Sequence, residues 1–229
     1  MILLRFKKAE RLMSIKQGIF HFRPTVSYRY DTIRYRGDPM EGMVYGDPSA
    51  SIMLNGYDIS QYVESVIWSR KYDGNILSIS FFQLNLDNCH EIENGIFTIN
   101  RDAVEMMKEF GEYFITLDST RVVSSLESSL SSYKCKYEYG PVYYCDTHNI
   151  QAVQKTCKKI HDKGLIYWEY FLKDESDYKQ QNEWRFLIHD IANEFPLADN
   201  GGVNIQTDLR SDIPLFKTEE LVSLRIFES

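Results

Sequence analysis

The apolar residues of this chain change their spacing repeatedly, from a period near two to a period near 3.6 and back. No apolar run reaches the ~18–20 residues that span a bilayer. A chain patterned this way must bury strand faces and helix stripes together, and that points to an α+β fold with a mixed or antiparallel sheet and several flanking helices.

Helical spacing covers Lys8 to Gln17, where Leu12 and Ile15 share a face and Gly18 stands at the stop. It recurs from Arg101 to Phe110 before Gly111, and from Thr120 to Ser132 through Val122, Val123, Leu126 and Leu130. The clearest case is His148 to Lys163, with Ile150, Val153, Cys157 and Ile160 on one face, Asp146 or Thr147 as cap, and Gly164 at the end. Strand-like runs are Ile19–Phe22, Ser65–Trp68, Ile76–Phe82, Tyr113–Leu117, Val142–Tyr144, Leu165–Phe171, Trp184–Ile188 and Leu221–Phe227. The turn Tyr72-Asp73-Gly74-Asn75 predicts a hairpin between the second and third of these. Arg29 to Pro48 has no consistent period and reads as a long loop.

With 229 residues, 43% apolar and 26% charged, the chain is long enough to bury a full core as one domain, residues 1–229. No repeat or low-complexity linker divides it. The 33 acidic against 26 basic residues, a net charge of −7, make nonspecific duplex-DNA binding an unsuitable main activity while allowing a local basic groove. Near the start, four apolar residues precede Arg5, Lys7, Lys8 and Arg11, the reverse of a signal peptide, so the expected location is cytoplasmic with no membrane partner. Cys89, Cys135, Cys145 and Cys157 then read as reduced thiols.

No phosphate-loop, dinucleotide-fingerprint, nucleophile-elbow or His-Glu-x-x-His motif occurs. Cys145-x-x-His148 and Cys157-x-x-x-His161 offer donor types suited to zinc. On a helix, however, positions 157 and 161 face together while 148 lies nearly three turns away, and Asp38, Glu41 and Glu183 form no acidic pair of telling spacing. No metal is expected.

Three stretches resemble, in order, a widespread bacterial and phage-associated family of uncharacterised proteins that pair an Asn/Gly-Asp-Pro-x-Glu loop with a late Glu-Trp-Arg strand. They are Arg36-Gly37-Asp38-Pro39-Met40-Glu41-Gly42; Leu77 to Phe82 followed by Gly111 to Asp118; and Val142 to Tyr144, Phe171 to Lys173 and Tyr178 to Ile188 with Glu183-Trp184-Arg185. The resemblance spans roughly residues 5 to 190. The chain departs from it in lacking a Cys near Ser78 and in having Asp102 to Phe110 where a Trp-x-x-Tyr helix is usual.

More distantly, Gln181-Asn182-Glu183 resembles the Gln-x-Glu loop of ADP-ribosyltransferases, and Arg5, Ser78 with Ser80, and Glu183 follow the order in which those enzymes place an Arg, a Ser-rich strand and a late Glu. That resemblance implies NAD as substrate: Glu183 as catalytic acid, Gln181 positioning the substrate, Arg5 gripping the diphosphate, and Ser78 and Ser80 walling the pocket. The chemistry suits the residues, because a fixed carboxylate stabilises an oxocarbenium-like centre and an Arg fork matches phosphate oxygens. Phe6, Phe22, Tyr28 or Phe81 could stack on a nicotinamide or adenine ring.

Each residue also has a plainer reading: Glu183 as an exposed strand-start acid paired to Arg185 or a lysine, Arg5 as a basic charge near a helix start, and the two serines as one face of a half-buried strand. The loop Arg34 to Glu41 reads equally as a lid, a partner-binding loop or a solvated turn built on Asp38-Pro39. The expectation is an ADP-ribosyltransferase-like enzyme of a bacterial or phage conflict system with a protein or nucleic-acid acceptor. The alternative is a noncatalytic inhibitor or binding module with an acidic interaction surface.

Overall fold

In the computed structural model the described residues are 1–32, 35–46, 53–58, 60, 66–69, 75–189, 201–210 and 212–227. Their centre is an eight-stranded antiparallel sheet. Its strands are β1 (Ile2–Lys7), β2 (Ile19–Pro24), β3 (Leu77–Leu84), β4 (Tyr113–Asp118), β5 (Lys136–Pro141), β6 (Glu183–His189), β7 (Val203–Gln206) and β8 (Phe216–Lys217). The order across the sheet is β5-β6-β3-β1-β4-β8, and β2 joins β3 on one edge and β7 on the other. Helices α1 (Ala9–Lys16), α2 (Arg101–Lys108), α3 (Ser119–Leu130) and α4 (Ile150–His161) cover its faces. The α+β expectation holds. No helix among the described residues is long and apolar enough to cross a membrane.

Side-chain alternation along the strands divides the interior into two sides. Leu3, Ile79, Phe81, Trp184, Phe186 and Ile188 pack with Leu12 and Ile15 of α1 and Val122, Leu126 and Leu130 of α3. On the other side, Leu4, Phe6, Phe82 and Phe114 meet Ala103, Val104, Met106 and Met107 of α2. Leu187 meets Val153 and Ile160 of α4 together with Tyr170 and Phe171.

The sheet carries one large irregularity. Strand β3 pairs with β1 only through Phe82, Gln83 and Leu84, and with β2 only through Leu77 and Ser78. Between these ladders Ile79, Ser80 and Phe81 have no strand on that edge among the described residues, while β1 continues through Arg5, Phe6 and Lys7 paired to β4 alone. The sheet is split there, and a split opens a path for side chains between its two faces.

Several expectations are corrected. Val66–Ser69 pairs with Met43–Gly46, inside the supposed loop, and β3 pairs with β6, so the predicted hairpin does not form. Ser65, Tyr72, Asp73, Gly74, Arg34, Asp47 and Pro48 lie outside the described residues. Leu165 to Phe171 is not a strand: Trp168–Phe171 makes a 3-10 turn and Leu172–Asp174 is the strand. A short apolar run without clean alternation does not separate those outcomes. The tail likewise turns at Thr218–Ser223 before Ile226–Phe227. The cap of α4 is Asn149, whose side chain accepts from the Ala152 N–H at 3.1 Å. No disulfide joins any of the four cysteines among the described residues.

Candidate active site

Every residue of β6 is buried. Alternation sends Trp184, Phe186 and Ile188 into the α1–α3 side and leaves Glu183 and Arg185 together on the opposite face. Charges so placed must be matched, because a buried ion without partners costs several kcal/mol. Arg185 Nε donates to Glu183 Oε1 at 2.8 Å, Nη1 donates to the Tyr170 carbonyl at 2.6 Å, and both Nη groups reach the Glu41 carboxylate. Lys173 Nζ lies 2.9 Å from Glu183 Oε2 and 4.8 Å from the centre of the Tyr178 ring. The Ser80 hydroxyl donates to Glu183 Oε1, and the Glu183 N–H donates to the Tyr144 hydroxyl oxygen at 2.8 Å.

The Asp-Pro-x-Glu loop and the Glu-Trp-Arg strand, 144 residues apart between Glu41 and Arg185, therefore close on each other through a buried ion pair. The loop is shaped for that contact. Asp38 accepts from the Met40 N–H at 2.9 Å and from the Glu41 N–H, through its carbonyl, at 3.0 Å. Gly42 sits at φ +66 with a Cβ position only 2.3 Å from the Tyr170 ring, so no other residue fits without displacement. Tyr178 anchors the loop from the far side by donating to the Gly37 carbonyl at 2.9 Å.

Burial pushes the Glu183 carboxyl up, but Arg185 and Lys173, with the Ser80 hydroxyl, outweigh it and hold the group down to about 2. For Glu41 burial dominates and raises the pKa despite Arg185 and Lys173. Burial works against the charge on Lys173, and Glu183 and Glu41 more than restore it, leaving its pKa raised.

Arg5 reaches the same place through the split. Its strand position puts it on the face opposite Glu183, yet its Nη1 donates to the Ser80 carbonyl and its guanidinium lies 5.6 Å from the Phe81 ring centre. Its Nε is buried without a hydrogen-bond partner among the described residues. Burial lowers its pKa. Lys7, two residues on, is driven down to about 7, first by the Arg5 charge and then by burial. Arg23 and Arg36 share Asp31 at 3.4 and 3.0 Å, and Arg23 lies 4.9 Å from the Tyr28 ring centre.

These groups enclose a cleft with an empty volume of ≈ 720 Å³, counted to its open mouth. Its lining is mixed: Leu4, Phe6 and Phe82 of the sheet and Met106, Met107 and Phe110 at α2 are apolar, and Arg5, Lys7, Arg23, Arg36, Lys173 and Arg185 are basic, with Glu183 as the lining carboxylate. In a chain with net charge −7 this is a concentrated positive field.

Arg5, Ser80, Gln181 and Glu183 all line the cleft, whereas Ser78 does not. Ser78 is buried deeper along β3, with a hydroxyl lacking a hydrogen-bond partner among the described residues. Gln181 is tied down at both ends: its Nε2 donates to the Tyr35 carbonyl at 2.5 Å and its Oε1 accepts from Lys173 at 3.5 Å. Phe6, Tyr28 and Phe81 line the cleft, but Phe22 is fully buried against Phe186. Sequence reasoning missed the roles of Glu41, Lys173, Lys7, Arg23 and Arg36. A charged pair at alternate positions of a central buried strand, Glu183 and Arg185, was the signal that further buried ions must exist. Comparison with protein-family models, curated proteins and solved structures finds no match, and the site is read from its own geometry.

Proposed function

We propose that the chain is a cytoplasmic enzyme of a bacterial or phage conflict system that cleaves the nicotinamide–ribose bond of NAD and transfers ADP-ribose. The observation that carries this reading is the delivery of Arg5, Ser80 and Glu183 by three neighbouring strands, β1, β3 and β6, to one cleft at the split of the sheet. Its mixed lining fits the substrate: the apolar side chains suit a flat aromatic ring, and the basic ones suit a diphosphate. The partnerless Nε of Arg5 is a buried donor of the kind a phosphate oxygen satisfies.

Glu183 stays ionised at physiological pH, so it acts by charge and hydrogen-bond acceptance rather than as a proton donor. As the C1′–N bond breaks, the bonding pair leaves with nicotinamide and positive charge develops on the ribose. Glu183, held by the Ser80 hydroxyl and Lys173, opposes that charge from a fixed position. An acceptor lone pair then forms the new bond to C1′, and the acceptor's proton passes to solvent. Gln181 contributes by pinning the Tyr35 segment at the cleft wall.

The test is nicotinamide release from NAD by the full chain, with NAD binding followed by calorimetry. Glu183→Gln is expected to lower release about 10²–10³-fold while binding persists. Should that variant fail to fold, Ser80→Ala removes one hydrogen bond to the same carboxylate and is expected to lower the rate with its melting temperature nearly intact. Absence of both NAD binding and release would reject the reading and favour the noncatalytic binding module.

A further inference from the structure

A second depression adjoins the cleft, with an empty volume of ≈ 1180 Å³ counted to its mouth. Arg5, Lys7, Arg23 and Arg36 line both, so the two voids meet at the split in the sheet. The second trough runs along the α1 side. There it adds Arg11 and Ser14 of α1, His21 of β2 and Asn204 of β7. Among the described residues four arginines and Lys7 line it and no Asp or Glu does.

Its neutral groups are also arranged for a polar ligand. The His21 imidazole bonds Asn204 Oδ1 through Nδ1 at 2.8 Å, and burial lowers its pKa, so it adds hydrogen-bonding capacity rather than charge near neutrality. Arg11 is exposed and has no ion-pair partner among the described residues. Lys7 has none among them either. The chain as a whole carries a net charge of −7, so this trough is a local basic site on an acidic protein.

We infer that the trough binds a single-stranded nucleic acid and leads it to Glu183 as the acceptor. The acceptor role rests on the NAD-cleaving reading; the binding does not. A row of basic side chains in a groove matches how the backbone of a single strand is held by phosphate contacts. An extended phosphodiester also explains why a second void, larger than the first, shares its cations with it: one reactant occupies each side, and they meet at Arg5. In the transfer an oxygen or nitrogen of the strand bonds to C1′, nicotinamide departs with the electron pair, and any proton on the attacking atom goes to solvent.

Arg11 separates the two voids experimentally because it lines the trough and not the cleft. Polarisation of end-labelled (dT)12 and U12 oligonucleotides should report binding by the full chain that weakens with salt, with a log–log slope of about −2 for about three neutralised phosphates. Arg11→Glu should weaken that binding about tenfold at low salt while calorimetric NAD affinity stays within about twofold. The inference is overturned by no oligonucleotide binding at low salt, by binding that Arg11→Glu leaves unchanged, or by polyglutamate competing as well as the oligonucleotide, which would reassign the trough to acidic protein segments. Nicotinamide release is read in parallel. Lost oligonucleotide binding with intact release removes this inference alone, and absent release with intact oligonucleotide binding removes the NAD reading and the acceptor role.

Discussion

Around Glu183 each charge is answered by an opposite one, whereas around Arg5 like charges gather. Arg185 is shared between Glu183 and Glu41, Lys173 closes the second oxygen of Glu183, and all four side chains are nearly inaccessible. Arg5, Lys7, Arg23 and Arg36 crowd the split, and among the described residues only Asp31 bridges two of them. The first cluster is complete within the chain and sets geometry; the second is short of negative charge and is completed by a ligand. Ser80 joins them, with its carbonyl on Arg5 and its hydroxyl on Glu183. Loss of Arg185 or of the Glu41 turn from the first cluster should therefore appear as stability, and a loss in the second cluster as affinity.

The largest effect should come from Arg185→Met, which takes from buried Glu41 its ion-pair partner among the described residues and leaves Glu183 with Lys173 alone. Chemical denaturation should show a loss of about 3–5 kcal/mol, and a change below about 1 kcal/mol would mean that the ion network does not organise the fold. Gly42→Ala attacks the same cluster indirectly by driving a Cβ into the Tyr170 ring and displacing the turn that carries Glu41. A loss of about 2–3 kcal/mol is expected. Acid should expose the network too. Glu183 lies at about 2 in the folded chain against 4.5 for its ordinary value, so its stabilisation is present above the ordinary value and disappears as pH falls toward 2. A denaturation series across that range should show the decline, and Ser80→Ala, which raises the folded value, should make it smaller and complete at higher pH.

The second cluster gives smaller effects of opposite sign. Lys7 is lowered from 10.5 to about 7, so between those values the unfolded chain holds a proton that the folded chain has lost, and stability rises with pH across the window. Lys7→Met should flatten that rise and leave the protein as stable as the parent or slightly more so below about pH 7. An anionic ligand should restore the Lys7 charge, so NAD binding near about pH 8 should take up protons. Calorimetry in buffers of different ionisation enthalpy measures that uptake, and none in wild type would place the phosphates away from Lys7.

Much of the scaffold was legible from local patterning. The four helices and strands β1 to β4 and β6 carry enough apolar periodicity or flanking glycines to declare themselves, except β1, whose apolar residues merge into a basic run. Strand β5 was hidden for a physical reason: it lies at the sheet edge and alternates Lys136, Tyr137, Glu138 and Tyr139, with ring contacts to Phe186 and Trp184 in place of aliphatic burial. At the site, a partial resemblance singled out Arg5, Ser80 and Glu183, but nothing local says that Glu41 reaches Arg185. Pairing across such a separation is set by sheet order and a glycine turn, and a one-dimensional pattern does not encode it. The same limit concealed the split between β1 and β2 that brings Arg5 through to Glu183.

The most direct measurement is a steady-state comparison of nicotinamide release by wild type, Glu183→Gln and Arg5→Gln, each checked for a folded state by its melting curve. Glu183→Gln should reduce kcat about 10²-fold or more with little change in KM. Arg5→Gln should raise KM about tenfold with a much smaller change in kcat. Equal rates in all three folded proteins, or no release from wild type at all, would contradict the claim that this cleft cleaves NAD.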